Sequence, residues 1–179
     1  MDKKAFELSI NFLVIVIIAI VMLALGLKLI TDFFGKATEI HAIIDEGTKA
    51  EINEMLSRGE QVAVPFNLKQ ISKGEQDTFG IGILNTAKTD LDFQIMIDFD
   101  KAFGTDDSQL NVQDAENWLL YDDEVFNLEP SENKQIPVLV QVPKNAKPGT
   151  YIFNVFVFQK TSQNDLPYGS TNKIRVIVN

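Results

Sequence analysis

Carboxylates are the side chains that crowd together most in this chain. Asp98, Asp100, Asp106 and Asp107 follow one another closely, and Asp122, Asp123 and Glu124 come soon after. Hard oxygen donors at that density are what Ca2+ takes. An EF-hand loop, however, needs an oxygen ligand at its fifth position and glycine at its sixth, and counted from Asp98 those places hold Ala102 and Phe103. The same acids would serve as a glycosidase pair only if two of them faced each other across a cleft beside a sugar platform, which spacing alone does not establish. The reading that asks least is a set of solvated acidic turns, with no metal and no cofactor.

Other chemistry is scarce. There is no cysteine and a single histidine, His41, so thiolate metal sites, disulfides, cysteine nucleophiles and histidine triads are all excluded. His41 itself reads as a surface or interfacial side chain rather than a ligand. No G-x-x-x-x-G-K-[ST], G-x-G-x-x-G or G-x-S-x-G pattern occurs. The nearest thing, Phe79-Gly80-Ile81-Gly82, falls inside a strand pattern where glycines thin the sheet. The net charge of −9 divides into −2 over residues 1–59 and −7 over residues 60–179. A surface so poor in clustered cations is unsuited to nucleic acid. Catalysis is not expected.

Glu7 is the least ordinary acid, because it stands at the mouth of a run of 20 residues without a formal charge, Leu8 to Leu27. A carboxylate facing lipid there asks for a cationic partner. As a helix the run would span ~30 Å, the hydrocarbon thickness of a bilayer, so the sequence predicts a transmembrane helix, closed by Lys28. A cleaved secretory signal is the rival, with Ala24-Leu25-Gly26 as its only loose cleavage match. Lys3 and Lys4 before the run balance Lys28 and Lys36 after it. The acidic, strand-rich remainder favours a cytoplasmic N-terminus and an extracytoplasmic C-terminal domain.

Beyond Lys28 the apolar residues Ile40, Ile43, Ile44, Ile52, Met55 and Leu56 recur at helical steps among acids, which predicts an amphipathic stalk helix ended by Arg58-Gly59. Gly35 and Gly47 are its weak points. Its stripe has three candidate partners: its own domain, the same stripe on other copies, or a membrane surface. From Gln61 the period becomes two, starting with Val62, Val64, Phe66 and Leu68 on one face. Strands follow at 79–84, 91–99, 118–121, 125–128, 136–142, 151–159 and 173–178, separated by turn residues such as Lys73-Gly74, Asn85-Thr86 and Pro148-Gly149. Both faces of 151–159 are apolar, which predicts a central strand, and Phe66, Phe79, Phe93, Phe99, Phe153, Phe156 and Phe158 read as core. The expected fold is mainly β with a long N-terminal helix: a transmembrane helix over 1–30, an amphipathic stalk helix over 31–59 and an antiparallel immunoglobulin-like β-sandwich over 60–179.

Two stretches resemble known families. Residues Asn127–Phe158, NLEPSENKQIPVLVQVPKNAKPGTYIFNVFVF, resemble the closing part of immunoglobulin-like surface modules of the CARDB type. That resemblance implies an extracytoplasmic module for spacing, adhesion or assembly. Lys3-Lys4-Ala5, then Phe6-Glu7, then the apolar run, resemble archaeal type IV pilin-like proteins. This second resemblance implies processing between Ala5 and Phe6 and assembly of a filament through the N-terminal segments, with Glu7 as an assembly residue. Here Ala precedes the cut, Glu7 would stand second in the mature chain, and no Asn-x-Ser/Thr sequon occurs. The expectation is a single-pass, membrane-anchored surface protein with a structural or adhesive β-sandwich. Its partners would be the lipid bilayer and, through the N-terminal segment, other copies of itself. One alternative is a pilin-like filament subunit at the cell surface, and another is a Ca2+- or glycan-binding ectodomain.

Overall fold

The computed structural model describes residues 12, 15–22, 43–112 and 114–179. Met1–His41 and Ala42–Asn179 form two compact units. In the first, residues 15–22 are helical with exposed side chains. The expected long N-terminal helix, spanning a membrane and running on as a stalk, is overturned. Among the described residues no helix is long and apolar enough to cross a membrane, and the helix of the second unit, α1, covers only Glu46–Ser57.

Asp45 gives the physical reason for the late start of α1. Its backbone is extended, with φ −63° and ψ 156°, so helical dihedrals do not pass through it. Its carboxylate accepts the Thr48 N–H at 2.9 Å and the Thr48 hydroxyl at 2.6 Å. Those two bonds, the hydroxyl first, hold the Asp45 carboxyl below its ordinary pKa. An N-cap of this kind begins a fresh helix. At the other end Arg58 is the C-cap and Gly59, at φ 93°, turns the chain away. Ala5, Phe6, Glu7, Gly35, Ile40 and His41 lie outside the described residues.

Two sheets make the sandwich. In the four-stranded sheet the order is β1 (Val62–Ala63), β3 (Gln76–Leu84), β8 (Asn133–Gln141) and β6 (Leu119–Leu120). The seven-stranded sheet runs β2 (Leu68–Ile71), β11 (Asn172–Val178), β9 (Gly149–Lys160), β4 (Leu91–Gly104) and β5 (Gln109–Leu110). There β7 (Phe126–Leu128) also pairs with the start of β4, and β10 (Asp165–Pro167) with the end of β9. Their inner faces supply one core, with Phe79, Phe93, Tyr151 and Phe153 among its largest fully buried side chains.

The sandwich is not wholly antiparallel, for β2 pairs with β11 in parallel. Pro65 and Phe66 form a turn between β1 and β2, with Phe66 in the left-handed region at φ 48°. Proline has no N–H to continue a ladder, and the left-handed residue after it carries the chain from one sheet to the other. Val62 and Val64 are therefore buried while Phe66 and Leu68 are 58% and 50% exposed, so the four do not share a face.

Helix α1 covers the outer face of the four-stranded sheet. On β3 the odd residues Phe79, Ile81 and Ile83 enter the core, and Gly80 and Gly82 alternate with them. A Cβ at Gly80 would sit 2.8 Å from Thr48 Cγ2 and 2.9 Å from Ile52 Cδ1, and one at Gly82 would overlap Ile52 Cγ2. The glycines thus form a trough that seats Ile52, which is wholly buried beside Ile44, Leu56 and Ala63. The apolar stripe of α1 is spent on its own domain.

Candidate functional site

Alternation along β4 decides what the other sheet shows to solvent. Phe93, Ile95 and Ile97 are buried in the core, whereas Asp92, Gln94, Met96 and Asp98 point outward. Their cross-strand partners on β9 share that side: Lys160 opposite Asp92, Phe158 opposite Gln94, Phe156 opposite Met96 and Asn154 opposite Asp98. No helix among the described residues covers this face. Phe156 and Phe158 stack with ring centroids 6.2 Å apart and 24° between planes, and Met96 beside them is 40% exposed. Ile152 continues the ridge along β9. A shallow hollow of about 300 Å³ adjoins it, lined by Gln94, Met96, Tyr121, Asp123 and Phe158 among others.

Charge is sorted on either side of this ridge. On β11, Lys173 and Arg175 face outward opposite Asn154 and Ile152. On β4 the same face carries Asp92, Asp98 and Asp100 with one cation, Lys101, whose ammonium lies 5.8 Å from the Phe103 ring centroid. Asp100 is the extra residue where the β4–β9 register shifts between Phe99 and Lys101. Lys173 Nζ meets its carboxylate at 2.9 Å, and that hydrogen bond is the main cause holding the Asp100 carboxyl below its ordinary pKa.

The other sequence-selected acids serve turns. Asp106 Oδ1 accepts the Ser108 hydroxyl at 2.6 Å and the Ser108 N–H at 3.2 Å, and these bonds lower its pKa. Asp122 accepts the Glu124 N–H at 3.0 Å and stands 3.6 Å from Lys134. Among the described residues no three histidine or carboxylate side chains converge to hold a metal ion.

One end of the sandwich is cleft around Trp118, which sits on a short 3-10 helix, Ala115–Trp118. An open cleft of about 550 Å³ is lined by Gln76, Asp114, Asn117, Trp118, Gln141 and Lys144 among others. A neighbour of about 330 Å³ shares Asp114, Trp118 and Pro143. The indole is only 8% exposed, because it packs on the Tyr151 ring at 4.5 Å. Burial raises the Tyr151 phenol pKa, and the hydroxyl donates to the Lys147 carbonyl at 2.8 Å. The tryptophan therefore has little ring face left for a sugar to stack on.

Sequence reasoning placed Phe156 and Phe158 in the core, and the structure turns both outward. The signal that separates them was present across the sheet: polar residues at 92, 94 and 98 mark one face of β4 as wet, and a paired strand must share that face. Ala5 and Phe6, expected at a processing site, and Glu7, expected in assembly, lie outside the described residues.

No family model matches the chain, and no curated protein matches it. Among solved structures it is similar to the ASH / PapD-like domain 7 of human CEP192, with TM-score 0.51 and 12% identity over 66% of this chain and 85% of that one. Similarity extends to a family 123 glycoside hydrolase from Clostridium perfringens, with TM-score 0.44 and 11% identity over 63% of this chain and 23% of that one. It also extends to the class 5 fimbriae chaperone CfaA, with TM-score 0.40 and 11% identity over 66% and 56%. At such identities likeness speaks for fold alone, and the fold is an immunoglobulin-like β-sandwich resembling PapD-like domains.

Proposed function

We propose that this chain is a structural or adhesive module of the cell surface, without catalysis, and that its working surface is the outer face of the seven-stranded sheet. The observation that carries this reading is the Met96, Phe156 and Phe158 ridge, partly exposed and covered by no helix among the described residues, while the corresponding face of the other sheet is covered by α1. Apolar side chains gathered on an open, polar-rimmed face are the ordinary mark of a protein interaction site. The uncharged run from Leu8 to Leu27 supports an envelope location, because it too needs cover from water, by lipid or by other copies of itself. Archaeal pilin-like assembly remains within this reading, with Glu7 as its test residue.

The test uses intact cells carrying the full chain or Phe156→Asp. External protease should reach the β-sandwich, and Phe156→Asp should abolish attachment at unchanged protein level. A domain shielded from protease in intact cells, or attachment indifferent to Phe156→Asp, overturns the reading.

A further inference from the structure

Free strand edges are where a sheet can add a strand from another molecule, because their N–H and C=O groups lack ladder partners. In the four-stranded sheet the inner strands β3 and β8 have nine residues each, whereas β1 and β6, which flank them, have two each. β1 lies beside Gly82 and Ile83, and β6 beside Leu139 and Val140. Among the described residues no strand lies along the rest of either edge. The Leu84 N–H turns away from β8 to the Gln61 carbonyl at 2.9 Å. By alternation Gln76, Thr78 and Gly80 turn their backbone groups the same way, onto the unflanked part of the β3 edge.

Thr78 stands in the middle of that stretch, and both of its backbone groups are already taken. Its N–H donates to Asp77 Oδ1 at 2.7 Å, and its carbonyl accepts from the Lys69 ammonium at 2.7 Å. Lys69 and Asp77 pair with each other at 2.8 Å. Lys69 belongs to β2, in the other sheet, and shares the parity of the buried Ile71, so it points between the sheets. Its ammonium lies 5.5 Å from the Phe79 ring centroid and reaches the β3 edge. An inward-pointing charge on an edge strand is one of the ways natural sheets refuse a neighbour. A strand joining β3 would have to displace both bonds to Thr78 and take an ammonium and a carboxylate out of water. On the opposite edge Pro137 stands across the ladder from Gly80, so a nitrogen without hydrogen takes the place where β8 would offer a donor beside β6.

We propose that the Lys69–Asp77 pair is a guard that keeps the β3 edge shut to an added strand, and that the strand it excludes first is the same edge of another copy. Identical edges can pair antiparallel with themselves, and every copy carries one. The guarded edge is a different surface from the outer face of the seven-stranded sheet, so this inference stands apart from the function proposed above.

The test uses the full chain in mild detergent. Lys69→Met with Asp77→Leu removes both charges and keeps apolar bulk over Phe79. Sedimentation should find half of this variant paired at a concentration at least tenfold lower than the parent requires. Hydrogen exchange of the Gln76 and Thr78 amides should slow as its concentration rises. Glu54→Leu with Arg58→Met removes an ion pair from α1, away from any strand edge, and should leave association and exchange as in the parent. A melting temperature near the parent's shows that the fold is kept. If the apolar variant does not fold, Lys69→Ala with Asp77→Ala uncovers the same backbone groups and carries the same expectation. Pairing no tighter than the parent's, equal tightening by the α1 variant, or tighter pairing without slower exchange at Gln76 and Thr78 overturns the inference.

Discussion

The two sheets of this sandwich treat their outer faces in opposite ways. On the four-stranded sheet, β3 gives up side chains at Gly80 and Gly82 so that α1 can press Ile52 into the backbone. On the seven-stranded sheet, β9 keeps Phe156 and Phe158 at the equivalent alternate positions and nothing among the described residues lies over them. The difference teaches how to read alternation in a sandwich. A face that carries glycine is prepared for a cover from its own chain, and one that carries aromatics is, on the function proposed above, left for a cover from outside.

Breaking the covered face should have the largest effect. Ile52 is wholly buried, so Ile52→Ala should cost about 2–5 kcal/mol in chemical denaturation. Next comes Gly82→Ala, whose added methyl group collides with Ile52; overpacking of that kind costs about 1–3 kcal/mol. Its penalty should shrink in an Ile52→Ala background, as a double-mutant cycle would read, because the collision partner is gone. Cutting the open face should barely register on stability. Phe156→Ser should cost about 1 kcal/mol or less. If it rivals Ile52→Ala, the ridge belongs to the core and the contrast between the faces is false.

The smallest effect sharpens the start of the cover. Asp45 caps α1 with its carboxylate and its folded pKa is depressed, chiefly by the Thr48 hydroxyl. A depressed acid contributes stability that is whole above its unfolded value of ~3.9 and lost as pH falls through the lower folded value. Acid titration of the intact chain should show that loss, and Asp45→Asn, which keeps a capping oxygen but has no proton to take up, should remove its pH dependence.

Much of the sandwich was legible beforehand. Alternation at 79–84, 91–99, 136–142 and 151–159 marks β3, β4, β8 and β9, and Gly80-Ile81-Gly82 reads as a place where the sheet is thin. Three things were not legible in single stretches. Helical periodicity continued smoothly through Ile43 and Ile44, and only the cap at Asp45 shows where α1 begins. The first strand kept its alternation through Pro65, and only the left-handed Phe66 shows that it changes sheet. Apolar residues on both faces of β9 read as core on both, because one strand cannot say whether its sheet is covered once or twice.

Asn85 and Tyr168 hold the corner where the chain passes from β3 to β4, and so from one sheet to the other. Asn85 is wholly buried, and its amide donates to the carbonyls of Thr89 and Leu128, each at 2.9 Å. The Tyr168 hydroxyl donates to the Leu84 carbonyl at 2.7 Å and accepts the Thr86 N–H at 3.0 Å. Asn85→Ala leaves two inward carbonyls unpaired and should cost about 2–4 kcal/mol, read by the same denaturation.

The parallel pairing of β2 with β11 acquires its own meaning when the module bears tension. Leu68 lies beside Arg175 and Ile71 beside Val178, so the chain enters at one end of this short ladder and leaves at the other. A pull between residue 60 and residue 179 then slides the two strands lengthwise past each other. Every rung is strained together instead of opening one at a time from an end. Four residues of β2, set beside β11, make a shear clamp, and a domain pulled along this direction would resist at that clamp before its core felt the load.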